Sequence, residues 1–199
     1  MKYVDPDGRE VLYFVFRNRK SYDISTDRAS PKNYYLDKAV VFDTNTFKIE
    51  YFDKVQTVAN YPSTDVFGNE VASCYNDTIA PGRFDEKVYT TTNVAAGDAA
   101  ILCNAKTIDG RKVNENGITE SPLSTGRGLE HSNTNPNTKK EFNSSPQNPD
   151  GVPYSKQCII KPGKDSARYF KFLRDAGLKN GDIVKGFLFE FGKKNGKVE

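Results

Sequence analysis

Only one stretch of this chain, from Asp165 to Gly177, carries the spacing of an amphipathic helix. Ala167, Phe170 and Leu173, with Tyr169 and Phe172, give it one apolar side. Asp165 stands where it can cap the start, and Gly177 where it can stop the end. The remaining apolar residues come in short runs cut by turn residues, which restricts the chain to a strand-built fold with a single late helix.

Val11-Leu12-Tyr13-Phe14-Val15-Phe16 is a continuous apolar run and reads as a buried strand. Residues 39–43 and 47–52 flank Thr44-Asn45-Thr46, and the second alternates apolar with polar, so the pair reads as a hairpin; residues 55–59 read as a short third strand. Ile79-Ala80-Pro81-Gly82-Arg83-Phe84 is a turn leading into an extended segment. Residues 99–108 and 111–113 read as strands joined by the Asp109-Gly110 turn, residues 128–131 as a short strand end and residues 183–190 as the last strand. Residues 21–33, 60–76 and 132–154 read as loops, the last long enough to be a lid. With 13 Phe, 11 Tyr, 10 Pro and 15 Gly, the composition agrees with strands and turns.

At 199 residues the chain is one domain, or one domain with a tail. The expected division is an N-terminal segment with the first strand over 1–33, the main domain over 34–191, and a tail over 192–199. Net charge is only +3, with 29 Lys and Arg interleaved among 26 Asp and Glu, so no basic stripe argues for a nucleic-acid partner. No run approaches the length of a membrane span, and the first residues show no signal peptide. The expectation is no membrane partner, and a chain that is cytoplasmic as encoded or exported by a specialised system to the periplasm or cell wall.

Three cysteines, Cys74, Cys103 and Cys158, match no zinc spacing, and neither a metal nor another cofactor is expected. A Cys74–Cys103 disulfide is open, and would leave Cys158 as the free thiol. His131 is the only histidine. A thiol and an imidazole are the minimum equipment for cysteine nucleophilic catalysis. The bland reading is a surface or core histidine and a cysteine serving as a small buried hydrophobe.

On the catalytic reading Cys158 attacks a carbonyl and His131 takes the thiol proton. A backbone carbonyl, Glu130 or Asp165 could hold the imidazole in one tautomer. Ser155 and the amides near Gln157 and Cys158 are the oxyanion candidates. Arg127, Asn133 and Lys161 are the substrate-binding candidates, each with an ordinary turn or surface role as its alternative; Lys156 and Lys161 could also favour the thiolate.

Taken in order, these pieces resemble the L,D-transpeptidase catalytic domain and its small relatives. The likeness covers roughly residues 35–190. It rests on the hairpin, on Thr78-Ile79-Ala80-Pro81-Gly82-Arg83-Phe84, on the His131 segment, on Ser155-Lys156-Gln157-Cys158-Ile159-Ile160, and on the helix and strand that follow. The resemblance implies a mainly β, sandwich-like fold with one short helix after the cysteine. It also implies acyl transfer on peptidoglycan stem peptides, of transpeptidase or carboxypeptidase type. Three positions depart from the family: Gln157 where glycine is usual before the cysteine, Ile160 where arginine is common, and Ser132 where glycine often follows the histidine. These departures keep a catalytically inactive binding or structural module on the same fold as the alternative.

Tyr3-Val4-Asp5-Pro6-Asp7-Gly8-Arg9-Glu10 resembles the sequence that closes the core of Rhs/YD-repeat proteins. That likeness implies the C-terminal effector part of a delivery protein, with an immunity protein as partner.

Overall fold

A computed structural model of the chain describes residues 10–21, 35–58, 77–89, 98–109, 120–122, 129–132 and 159–192. The elements are β1 (Val11–Asn18), β2 (Asp37–Asp43), β3 (Ile49–Val55), β4 (Asp77–Ile79), β5 (Gly82–Tyr89), β6 (Ala99–Cys103), β7 (Lys106–Asp109), β8 (Glu120–Pro122), β9 (Leu129–Ser132), β10 (Ile159–Lys161), α1 (Gly163–Asp175) and β11 (Ile183–Phe191). Among the described residues the fold is mainly β, with one helix directly after β10. Eight strands form a mixed sheet in the order β10-β9-β6-β5-β11-β1-β2-β3, and β4, β7 and β8 form a second, small sheet.

The main sheet curls until its two edges meet. Gln56, just past β3, exchanges two backbone hydrogen bonds with Ile160 of β10, at 2.8 and 2.9 Å. Strand alternation sets what lines the inside. From β1, Val11, Tyr13, Val15 and Arg17 are buried, while Leu12, Phe14 and Phe16 are half-buried on the outer face. There Phe14 stacks on Phe187 and Phe16 on Phe189 across the parallel β1–β11 pair, with ring centroids 5.7 and 5.6 Å apart. β1 thus serves both faces, which is why its sequence is a continuous apolar run. It lies inside the main sheet between β11 and β2, so residues ahead of 34 contribute a strand to it.

Helix α1 packs against the inner face. Its buried residues are Ser166, Tyr169, Phe170 and Leu173. The Tyr169 ring lies 4.9 Å from that of Tyr13 and 5.9 Å from that of Phe52. Burial of each large side chain here contributes about 2 kcal/mol. Asp165 does not cap the helix. Pro162 occupies the N-cap with no side-chain cap bond, and Asp165 sits in the first turn, 2.8 Å from Arg168. Ala167 is exposed, because the apolar stripe runs through Ser166 instead. Gly177 does end the helix, with φ +84° and its N–H on the Arg174 carbonyl at 2.9 Å.

Two strand expectations are corrected. Residues 99–108 are not one strand. Asn104 adopts φ +53° and its side-chain amide donates to Asp85 Oδ2 at 2.7 Å, so the chain leaves the main sheet there and enters the small one. β7 then pairs with β8, while residues 111–113 lie outside the described residues. The expected third strand over 55–59 is the end of β3 and the single bridge at Gln56; Ala59 lies outside the described residues.

A buried polar cluster ties the small sheet to the main one. Arg17, fully buried, donates to Thr57 Oγ1 at 2.7 Å and to the Ile79 carbonyl at 2.7 Å. Asp37 accepts from Thr57 Oγ1 at 2.6 Å, from Ser21 Oγ at 2.5 Å and from the Asn18 N–H at 2.9 Å. Among the described residues no helix is long and apolar enough to cross a membrane.

Candidate functional site

The closing edge of the sheet brings two sequence segments together. β9 and β10 pair in parallel, with Ile159 in register with Glu130, Ile160 with His131 and Lys161 with Ser132. On its other side β9 pairs antiparallel with β6, His131 opposite Ala99. His131 is therefore held in a strand with neighbours on both sides. Ile159 is the residue that follows Cys158 in the sequence. Cys158 itself lies outside the described residues, as do Arg127, Asn133, Ser155, Lys156 and Gln157.

Lys161 is not the surface cation that its sequence position suggested. Its side chain is fully buried and paired with the equally buried Glu130. Nζ also donates to Tyr13 Oη at 2.5 Å. It sits 4.2, 4.7 and 5.2 Å from the ring centroids of Tyr169, Tyr13 and Phe52, a cage of three aromatic faces. An amine held this way is core structure and is withdrawn from substrate. Glu130, one candidate for orienting the imidazole, gives Oε1 to Lys161, and Asp165, another, pairs with Arg168.

Glu86 completes the cluster. It faces inward from β5 and accepts from Tyr169 Oη through Oε2, while Oε1 has no hydrogen-bond partner among the described residues. Burial pushes its carboxyl up to about 8, and the neighbouring Glu130 adds to the rise; Lys161 and the Tyr169 hydrogen bond oppose it less strongly. Near neutral pH Glu86 is accordingly protonated. Burial, with the two carboxyl groups nearby, also raises the phenols of Tyr13 and Tyr169, which stay neutral.

The strand spacing held a signal for this cluster. Phe84, Glu86 and Val88 share one side of β5, so Glu86 falls at a core position. The same alternation makes Glu130 and Ser132, both buried, the flanking residues of His131.

Cys103 carries a free thiol, half-buried, with Sγ 3.5 Å from the Ile101 carbonyl, so the Cys74–Cys103 disulfide is not formed. Burial and then the Asp85 charge push that thiol up, which makes it a poor nucleophile. Among the described residues no three His, Cys, Asp or Glu side chains gather as a metal site. A cleft of about 340 Å³ opens beside Phe16, Lys38, Val40, Tyr51 and Phe191, and none of its lining belongs to β9 or β10.

No family model matches the chain, and no curated protein matches it by sequence.

Proposed function

We propose that the chain is a cysteine acyl-transfer enzyme of the L,D-transpeptidase kind, with Cys158 as nucleophile, His131 as base and peptidoglycan stem peptides as substrate. The observation that carries the reading is the parallel pairing of β9 with β10. Ile159, which follows Cys158 in the sequence, stands in register with Glu130, which precedes His131. The mainly β fold and the helix directly after β10 agree with the same family pattern.

In this reading His131 accepts the Cys158 proton and the thiolate attacks a stem-peptide carbonyl. The amide C–N bond breaks, the imidazolium returns the proton to the leaving amine, and a thioester remains. Water or an acceptor amine then attacks the thioester and frees the thiol, which gives hydrolysis or cross-linking. Ser155 and the amides near Gln157 are the groups that would steady the oxyanion. The resemblance at Tyr3–Glu10 makes delivery as the effector part of an Rhs-like protein part of this proposal, with the periplasm or cell wall as destination and an immunity protein as partner.

The test is incubation of wild type, Cys158→Ala and His131→Ala with purified muropeptides, followed by mass spectrometry. Altered muropeptides from wild type alone support the reading. Equal products from Cys158→Ala, or none from folded wild type, overturn it and favour a binding module.

A further inference from the structure

The seam between β9 and β10 is short. β10 has three residues and β9 has four, and among the described residues the outer side of β10 is held by the single Gln56 bridge. So short a parallel pair has few backbone bonds to choose its register, and a one-residue slip would turn every side chain to the other face.

The charges make that choice. Lys161 stands opposite Ser132, and Glu130 opposite Ile159, so the Lys161–Glu130 pair crosses the seam on a diagonal. A one-residue slip turns one partner to the other face and leaves two buried charges unmatched, which is far costlier than losing a surface pair. Tyr13 from β1 and Tyr169 from α1 grip the same amine, so the lock is tied to the centre of the sheet and to the helix.

We infer that Lys161 and Glu130 lock the register of the β9–β10 seam, and that Glu86 is a proton-dependent switch on that lock. The consequence for rate rests on the acyl-transfer reading; the lock itself does not. Glu86 is faced by Glu130 from β9, Lys161 from β10, Tyr169 from α1 and Tyr13 from β1, while its strand partners Val184 and Leu102 bring no charge. While Glu86 holds its proton, one carboxylate faces one ammonium. When it ionises near pH 8, a second buried carboxylate competes with Glu130 for the same amine and the seam loosens. Lys161 and Glu130 are positioning residues: they act on His131 through the β9 strand that carries it.

The experiment is hydrogen exchange followed by mass spectrometry, from about pH 6.5 to about pH 9.5, corrected for intrinsic rates. Amides of β9 and β10 report the seam, and those of β1 and β2 serve as the internal reference. Across this range wild type should lose about tenfold more protection at the seam than at the reference strands, which follow global stability alone. Glu86→Gln should keep seam protection across the range. Lys161→Met should lose it at every pH. Wild-type protection that is flat with pH, Glu86→Gln that falls as wild type does, or Lys161→Met that matches wild type each overturns the inference. If Lys161→Met loses the reference protection too, the comparison of wild type with Glu86→Gln decides. Muropeptide turnover measured on the same samples separates the two ideas, since absence of turnover at every pH sinks the acyl-transfer reading and leaves the exchange result standing.

Discussion

Gln56 and Ile160 meet through two backbone hydrogen bonds, 2.8 and 2.9 Å long, and in doing so join the two edges of the main sheet. Ile160 is also in register with His131, so the closure sits one residue position from the proposed catalytic base. Gln56→Pro removes the donor to the Ile160 carbonyl and forces a ring into the seam. Its expected cost is about 3 kcal/mol, read from the urea midpoint, with added exchange at β10.

Arg17 links β1 to the small sheet through the Ile79 carbonyl and is fully buried. Arg17→Ala leaves that carbonyl and the Asp37 carboxyl without its charge, and should cost roughly 3–5 kcal/mol. Burial raises the Asp37 carboxyl, with the Arg17 charge acting against the rise, so the two are coupled. The double variant Arg17→Met with Asp37→Asn should lose less than the sum of the singles, by about 1 kcal/mol or more in a double-mutant cycle on urea denaturation.

Gly186 of β11 lies directly under the Phe84 ring. A Cβ there would stand 2.3 to 2.6 Å from three ring carbons. Gly186→Ala should cost about 1–3 kcal/mol by overpacking. Adding Phe84→Leu should recover part of that loss in thermal melts, because it removes the atoms that collide. Recovery of nothing would show that backbone strain, and not this contact, is the cause.

Glu86 sets a direction for stability against pH. Its folded value, about 8, is above the ordinary 4.5, so between those values the folded state keeps a proton that the unfolded state has released. The stabilising contribution is complete below the unfolded value and is lost as pH rises through the folded one. The burial-raised Asp37 carboxyl acts in the same sense. The unfolding free energy of wild type, from urea denaturation, should fall between about pH 5 and about pH 8 by an amount on the order of a few kcal/mol. Glu86→Gln should flatten most of that slope and be the more stable protein above it. A wild-type profile that rises over this range would contradict the assignment.

Most of the strand pattern was legible because period-two alternation and turn residues are local properties. The Thr44-Asn45-Thr46 turn, the Gly177 stop and the last strand all follow from neighbours in sequence. What was not legible depends on distant partners. Asn104 breaks a run that looks continuous because its amide finds Asp85 on the adjacent strand. Lys161 reads as a surface charge until Glu130 and Tyr13 close around it from two other strands. Glu86 was the one member of that cluster within reach, through its place between Phe84 and Val88. The joining of the sheet's edges at Gln56 is a tertiary fact with no local signal.

The central claim is that Cys158 carries the acyl group. The most direct measurement is acid quenching during turnover of muropeptides, followed by peptide mapping of the protein by mass spectrometry. The account predicts a thioester adduct of the donor stem peptide on the Cys158 peptide, absent from those of Cys74 and Cys103 and lost in Cys158→Ala. Turnover that proceeds with no adduct on Cys158, or that persists in Cys158→Ala, would contradict it.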